Sequence, residues 1–174
     1  MSPRRKDNNS LYLSLLGFFV EKPNYGYEIY KFLSNETTFF KIWHLKRSQF
    51  YSFLERLFNE NYLIHQIEGG QQYPDRRIFS ITPSGLQVLK DWIVTPVEHG
   101  REMRQDFLVK LFILQNYFPE KIEKLVQNQK AICQQWKQEQ DSQLENEDDH
   151  FQKLLINYRK MQIQSMIEWL DLIE

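Results

Sequence analysis

Cysteine, glycine and proline are scarce in this chain. Its 174 residues include one cysteine, six glycines and six prolines. A single cysteine excludes an internal disulfide, which fits a reducing compartment, and we expect a cytoplasmic protein. The shortage of helix-breaking residues leaves room for long helices, above all in the second half.

Long apolar runs are also missing. No run approaches the ~18 residues that a transmembrane helix needs, so we expect no membrane partner. The basic start of the chain precedes an apolar segment that Tyr12, Ser14 and Gly17 interrupt, and no small-residue cleavage site follows. We therefore expect no secretory signal peptide.

A large excess of one charge is absent as well, since the formal net charge is −1. The charges are nevertheless unevenly distributed along the chain. Residues 1–90 hold 12 Lys and Arg against 8 Asp and Glu, and residues 91–174 hold 10 against 15. A basic first half and an acidic second half indicate that only the first half meets a polyanion.

Residue patterns for catalysis or metal binding are lacking. No nucleophilic triad stands out, and Gly69-Gly70 does not lie between a strand and a helix as a phosphate loop would. No metal-ligand spacing links Cys133 to the histidines, which are His44, His65, His99 and His150. We expect no catalytic residues, no metal and no cofactor.

Three helical segments open the chain. Apolar spacing predicts helices over about 10–21, 25–34 and 46–60, with residues 35–45 as a mixed connector. Strands over 62–67 and 77–81 follow and form a hairpin around a turn-rich segment. A fourth helix begins with Thr82 as N-cap and Pro83 at its first position, and ends near residues 95–96.

The order of these elements predicts a winged helix-turn-helix domain over residues 1–98. The fold class is mainly α with a small β-hairpin. In this fold the third helix is the recognition helix, which enters the major groove of DNA. Its inner face holds apolar residues at helical spacing, namely Phe50, Phe53, Leu54, Leu57 and Phe58.

The outer face of the third helix carries the candidate DNA contacts. Glutamine can bond adenine in pairs and arginine can bond guanine or a phosphate, while serine and tyrosine suit phosphates. The predicted residues are Arg47, Ser48, Gln49, Tyr51, Ser52 and Arg56; Glu55 lies on the same face. Arg76 and Arg77 of the hairpin and Arg4 and Arg5 of a basic N-terminal arm complete the set. A solvated helix face and an arginine paired with Asp75 or Glu68 are the structural alternatives.

Residues 99–174 form a predicted helical dimerisation domain. Helices are expected over about 102–117, from Pro119 onward, and over about 150–173. The last of these is apolar on two nearly opposite sides, with Ile156 and Ile163 on one and Tyr158 and Trp169 on the other. Such a helix needs partners on both sides, and we expect one of them to be a second subunit. The predicted dimer contacts are Phe107, Leu111, Leu155, Tyr158, Gln162, Met166 and Trp169.

The first half resembles the PadR-type transcriptional regulators. The matching pieces occur in family order over residues 11–90: Leu15-Leu16-Gly17, Tyr25-Gly26-Tyr27-Glu28-Ile29, Tyr62-Leu63-Ile64, Arg76-Arg77-Ile78-Phe79 and Ile81-Thr82-Pro83-Ser84-Gly85-Leu86. The second half, with Arg104-Gln105-Asp106-Phe107-Leu108-Val109-Lys110, is similar to the subgroup that includes virulence activators. Many family members have a glycine just before the aromatic start of the recognition helix, where this chain has Ser48-Gln49-Phe50-Tyr51.

This resemblance implies a homodimer whose C-terminal helices embrace, with the winged domains on the flanks. Together with the residues, it predicts a sequence-specific regulator, most often a repressor in this family, that binds an inverted repeat of double-stranded DNA. The alternative is a winged-helix adaptor that binds proteins. A small aromatic effector is a further expectation, with an ordinary aromatic core as its alternative; the candidate residues are Trp43, Trp92, Trp136 and Trp169.

Overall fold

A computed structural model describes residues 11–34, 38–70 and 73–173. A 3₁₀ helix, Leu11–Phe19, comes first and is followed by strand β1, Asn24–Tyr25. Helices α1 (Gly26–Ser34), α2 (Thr38–Ile42) and α3 (Arg47–Asn59) come next. Strands β2 (Leu63–Gly70) and β3 (Tyr73–Ile81) and helix α4 (Pro83–Ile93) complete the first half.

Three strands form one antiparallel sheet in the order β1-β3-β2. Strand β3 is central, with Phe79 opposite Asn24 on one side and opposite His65 on the other. The expected hairpin of β2 and β3 is present and extends farther than predicted. Together the elements give a winged helix-turn-helix, so the predicted fold class is confirmed.

Helix α4 begins as its sequence predicts. The Thr82 hydroxyl accepts a hydrogen bond from the Gly85 amide at 3.0 Å, and Pro83 occupies the first turn. Gly85 lies against the backbone of Tyr62, because a Cβ atom there would come within 2.2 Å of the Tyr62 carbonyl oxygen. This close approach joins the start of α4 to the start of the wing.

The second half contains three longer helices. They are α5 (Asp106–Tyr117), α6 (Ile122–Glu145) and α7 (His150–Leu170). Short 3₁₀ helices, Gly100–Arg104 and Pro119–Lys121, precede α5 and α6. The N-cap of α7 is Asp149, whose carboxylate accepts a hydrogen bond from the Gln152 amide at 2.8 Å.

One continuous apolar core runs through both halves. It includes Leu15 and Leu57 of the winged domain and Phe107 and Leu125 of the C-terminal helices. The first 3₁₀ helix is packed tightly on α5, since a Cβ on Gly17 would lie 2.8 Å from the Ile113 side chain.

Polar side chains of the C-terminal helices hold the segment that joins the two halves. Gln129, fully buried on α6, accepts a hydrogen bond from the Val97 amide at 2.7 Å and donates one to the Val97 carbonyl at 3.3 Å. The Lys110 ammonium donates to the Thr95 carbonyl at 2.5 Å, and the Asn128 amide donates to the Val94 carbonyl at 2.8 Å. We call Lys110, Asn128 and Gln129, together with the backbone of residues 94–97, the linker clamp.

Candidate nucleic-acid interface

Helix α3 has the two faces that its sequence predicts. Phe50, Leu54 and Leu57 are buried, and Phe53 and Phe58 are half-buried. The opposite side presents exposed polar residues near the start of the helix: Arg47, Ser48, Gln49 and Ser52. Because these four side chains are free of the protein's own core, they can meet a groove of DNA.

Contacts within the helix orient some of these side chains. The Gln49 side-chain oxygen accepts a hydrogen bond from the Lys46 amide at 3.4 Å, at the start of α3. The Arg47 guanidinium lies 5.8 Å from the centre of the Tyr51 ring. Tyr51 itself is half-buried and packs near Tyr30, with ring centres 6.4 Å apart. Tyr51 thus has its ring against the protein and leaves the more exposed positions to Gln49 and Arg47.

Arg56 is engaged by the protein's own residues. Its Nε lies 2.9 Å from Oε1 of Glu60, and its guanidinium stands 4.1 Å from the centre of the Tyr12 ring. Tyr12 also donates a hydrogen bond to Glu60 at 2.6 Å. Burial would raise the pKa of Glu60, but the hydrogen bonds from Tyr12 and Arg56 hold it below its usual range. Arg56, predicted as a DNA contact, therefore joins α3 to the first 3₁₀ helix.

Both wing arginines are exposed next to the recognition helix. Arg77 of β3 forms an ion pair with Glu55 of α3, with Nη1 and Oε1 2.8 Å apart. A cleft of about 560 Å³ lies between α1, α3 and β3, and its lining includes Arg76, Arg77 and Glu55 with Tyr25, Tyr27 and Tyr51. The cleft therefore combines positive charge, negative charge and aromatic rings.

Tyr25 and Glu68 form a second contact at this edge. The Tyr25 hydroxyl donates a hydrogen bond to the Glu68 carboxylate, and this bond raises the pKa of Tyr25. Pairing of a wing arginine with Asp75 or Glu68 was the alternative to DNA contact, and Arg77 instead pairs with Glu55 of α3. The side chain of Asp75 lies outside the described part of the chain. Arg4 and Arg5, predicted to form a basic arm, lie outside the described residues.

Three residues of this cleft were not among the predicted site residues, namely Glu55, Tyr25 and Tyr27. Helical spacing was a usable signal for Glu55, because it follows Ser52 by three positions on the same face. No such signal existed for the tyrosines. Tyr25 reaches the cleft through the pairing of β1 with β3, in which it lies opposite Ile78, and Tyr27 follows in the first turn of α1.

Helix α7 divides into a buried and an exposed apolar face. Ile156, Ile163 and Leu170 are buried against the chain itself. The other face leaves large apolar side chains exposed, which are Phe151, Leu154, Tyr158, Met161 and Trp169, and Leu172 just beyond the end of the helix is exposed as well. We call these six residues the α7 apolar face.

A groove of about 1550 Å³ runs beside the α7 apolar face. Its lining includes Trp136 of α6, Leu108 of α5 and Met161, Met166 and Trp169 of α7. Of the four tryptophans considered for an effector, Trp136 and Trp169 line the groove, whereas Trp43 and Trp92 are buried in the core.

Two of the predicted dimer contacts require correction. Phe107 is fully buried and Leu111 is 8% exposed within the single chain, so neither side chain is available to a partner. The two residues are four positions apart on α5, and this helical spacing turns both side chains into the internal core. The Phe107 ring packs edge-on against the Trp169 ring, with ring centres 5.7 Å apart. Leu155 and Met166 are half-buried, and Tyr158, Gln162 and Trp169 are exposed.

Metal-binding clusters and membrane-spanning helices are both missing from residues 11–34, 38–70 and 73–173. Within these ranges no group of three histidine, cysteine, aspartate or glutamate residues is arranged to hold a metal ion. None of the helices described there combines the length and the apolar character that crossing a membrane requires.

Comparison with protein families gives two matches. Residues 15–91 match the transcriptional regulator PadR-like family, and residues 103–174 match the virulence activator alpha C-terminal family. The chain carries a PadR-like domain followed by a virulence activator alpha C-terminal domain. The resemblance inferred from the sequence is thereby confirmed for both halves.

One curated protein and several solved structures are also similar to this chain. The negative transcriptional regulator PadR of Bacillus subtilis (strain 168) is 24% identical over 101 residues, which are 58% of this chain. This chain thus spans about half, 54%, of the curated relative's length.

Solved structures of Bacillus subtilis PadR are similar over most of both chains. The complex with operator DNA is 19% identical, covers 92% of this chain and 96% of its own, and has a TM-score of 0.48. The complex with p-coumaric acid is 18% identical, covers 93% and 95%, and has a TM-score of 0.44.

Proposed function

We propose that this chain is a sequence-specific DNA-binding transcriptional repressor that binds an inverted-repeat operator as a homodimer. The observation that carries the proposal is the exposed start of α3, where Gln49 and Ser52 stand above a buried apolar face. Gln49 would bond a base edge in the major groove, and Ser48 and Ser52 would bond bases or phosphates. The family match of residues 15–91 to transcriptional regulators supports this assignment.

The wing supplies the second part of the proposed DNA contact. Arg76 and Arg77 are exposed on β3 and line the cleft that also includes Tyr51 and Glu55 of α3. Arginines in such positions neutralise phosphates, and this accounts for most non-specific affinity. Arg56 becomes a structural residue in this proposal, because Glu60 and the Tyr12 ring hold its guanidinium. We propose the boundary between the DNA-binding and dimerisation domains at residues 98 and 99.

The repressor role and the cytoplasmic location belong to the proposal as well. The curated relative from Bacillus subtilis is described as a negative regulator, and this supports repression rather than activation. A regulator that binds bacterial-type operators would work in the cytoplasm. No enzymatic role is part of the proposal.

The proposed dimer joins two α7 apolar faces. Tyr158, Met161 and Trp169 belong to that face and also line the groove beside it. The α7 apolar face forms a ridge beside the groove. A surface with a ridge next to a groove can be self-complementary under a two-fold rotation, so the ridge of one subunit can fill the groove of the other. Two winged domains related by this rotation would meet two half-sites of an inverted repeat.

The small aromatic effector stays a prediction. Of the four candidate tryptophans, Trp136 and Trp169 line the groove and are the ones that a ligand bound there would contact.

The proposal is tested by selecting bound DNA from a random pool. We expect the native chain to enrich one inverted repeat, with affinity that falls steeply as salt rises because phosphate contacts release counterions. The double variant Gln49→Ala, Ser52→Ala should lose the enrichment and keep its oligomeric mass. A matched control, Gln134→Ala with Ser142→Ala on the exposed side of α6, should keep it.

The same selection separates the repressor from the protein-binding adaptor. If the native chain enriches no sequence over random DNA, the repressor proposal fails. If the double variant retains its biological function without DNA binding, the adaptor is favoured.

A further inference from the structure

Glu55 is an acidic residue on the face of α3 that is proposed to meet DNA. It follows Ser52 by three positions and Ser48 by seven, so the three side chains form one stripe along the helix. The Glu55 side chain is 54% exposed and contributes to no part of the buried core. A carboxylate in this position would lie close to any DNA that contacts Ser48 and Ser52, where its negative charge has to be offset.

Arg77 fixes the position of this carboxylate. Its Nη1 lies 2.8 Å from Oε1 of Glu55, and it reaches α3 from the central strand of the wing. The other oxygen, Oε2, has no hydrogen bond with any residue in the described parts of the chain. An exposed pair of this kind adds at most about 1 kcal/mol to stability. Its main effect is therefore to orient Oε2 and to offset the negative charge on the DNA-facing side.

The chemistry of Oε2 limits what it can bind in a major groove. An ionised carboxylate only accepts hydrogen bonds, and the amino groups of cytosine and adenine are the donors there. In adenine the amino group is next to N7, an acceptor that repels a carboxylate. In cytosine the amino group is next to a C–H group and has no such neighbour, so cytosine is the better partner.

We propose that Glu55 reads a cytosine in the operator and that Arg77 is the residue that positions it. The inference rests on the proposed DNA-binding function and adds a base preference to it. It also assigns the wing a second task besides contact with phosphates, because the wing arginine sets the direction of a side chain on the recognition helix.

The test is selection from a random DNA pool with the native chain, Glu55→Gln and Glu55→Ala. The native chain should favour C·G over the other pairs about tenfold at one position in each half-site. Glu55→Gln should shift that position toward A·T, because an amide can bond adenine in pairs, and Glu55→Ala should lose the preference. All other positions of the selected sequence should stay the same.

Two further variants control for charge and for positioning. Glu120→Gln removes the same charge at an exposed site outside the winged domain and should leave the selected sequence unchanged. Arg77→Lys keeps the positive charge but loses the planar guanidinium, and it should weaken the C·G preference without shifting it toward A·T.

The results separate the two proposals. If the native chain selects an operator and both Glu55 variants select the same one, the cytosine inference is wrong while the repressor proposal stands. A uniform loss of affinity with an unchanged sequence also overturns the inference. If the native chain selects nothing, both proposals fail.

Discussion

Lys110 is a buried cation at the junction between the winged domain and the C-terminal helices. It is 4% exposed, and its ammonium lies 4.8 Å from the centre of the Trp92 ring. Burial lowers the pKa of Lys110 to about 8, although the charges of Asp106 and Glu102 act in the opposite direction. Burial followed by the charge of Glu102 raises the pKa of Asp106. The acid and the base on this turn of α5 therefore both resist ionisation.

The lowered pKa of Lys110 predicts a dependence of stability on pH. The unfolded chain keeps the Lys110 proton up to about pH 10.5, and the folded chain releases it near pH 8. Because the unfolded state binds more protons in this window, the free energy of unfolding rises with pH. Relative to a Lys110→Met variant, it should rise by about 2 kcal/mol between pH 7 and pH 9.5. Chemical denaturation of both proteins at four pH values measures this, and a constant difference would contradict it.

Single residues also mark the limit of what the sequence could predict. Helical spacing put Glu55 and Arg56 off the apolar face of α3, but it could not predict their partners or the packing of Arg56 against Tyr12. Tyr12, which contacts both Arg56 and Glu60, is 48 positions from Glu60, and Arg77 is 22 positions from Glu55. Such pairs depend on how distant segments of the chain pack together, and this packing cannot be predicted from local periodicity.

At the scale of elements, the linker clamp joins the two halves through backbone contacts. From a fully buried position, the Gln129 side chain forms hydrogen bonds with both the backbone N–H and the backbone carbonyl of Val97. A backbone amide that loses its only partner in such a place costs about 1–3 kcal/mol. The linker clamp thus stabilises the short segment, residues 94–97, that connects the winged domain to the C-terminal helices.

Replacement of Gln129 by leucine should destabilise the chain. The side chain keeps a similar volume, but the Val97 amide and carbonyl lose their partners, so we expect a loss of about 2 kcal/mol. The matched control is Gln127→Leu, on the exposed side of the same helix, where the lost partner is Glu123 at 2.8 Å. Urea denaturation should show a change of no more than about 0.5 kcal/mol for the control. Equal effects in the two variants would show that the clamp does not hold the linker.

Elements with strong periodicity were predicted well, and short ones were not. Helices α3, α4 and α7 and the hairpin lie close to their predicted positions. The five-residue helix α2 was predicted as a connector, because a segment of little more than one turn shows no period. Strand β1 has two residues and exists through its pairing with β3. The first helix is 3₁₀, a distinction that a segment buried on most sides does not reveal.

For the whole molecule, the sequence indicated two apolar sides of α7 but could not say which lies inside. The structure buries Ile156, Ile163 and Leu170 and leaves the α7 apolar face outside. It also reassigns α5 to the interior, since Phe107 and Leu111 are buried in the common core. An interface between subunits is therefore proposed on α7 and the groove alone, without a contribution from Phe107 and Leu111 of α5.

This arrangement predicts that charge on the α7 apolar face separates the subunits. Met161 is 72% exposed and lines the groove, and Leu154 is 53% exposed on the same face. In a dimer, Leu154→Glu with Met161→Glu would bury two carboxylates per subunit without partners, a cost that exceeds the gain from the apolar contact. Light scattering should then give a mass near 21.3 kDa for the variant and about twice that for the native chain.

Asn157 provides the control for this experiment, because it is exposed on the polar stripe of α7 away from the groove lining. Asn157→Glu adds charge to the same helix and should leave the native mass unchanged. The separated variant should still bind a single half-site weakly through α3, but lose the avidity for an inverted repeat that comes from two linked domains. If the native chain has the mass of a monomer at micromolar concentration, or if the double variant stays dimeric, the proposed subunit contact on this face is wrong.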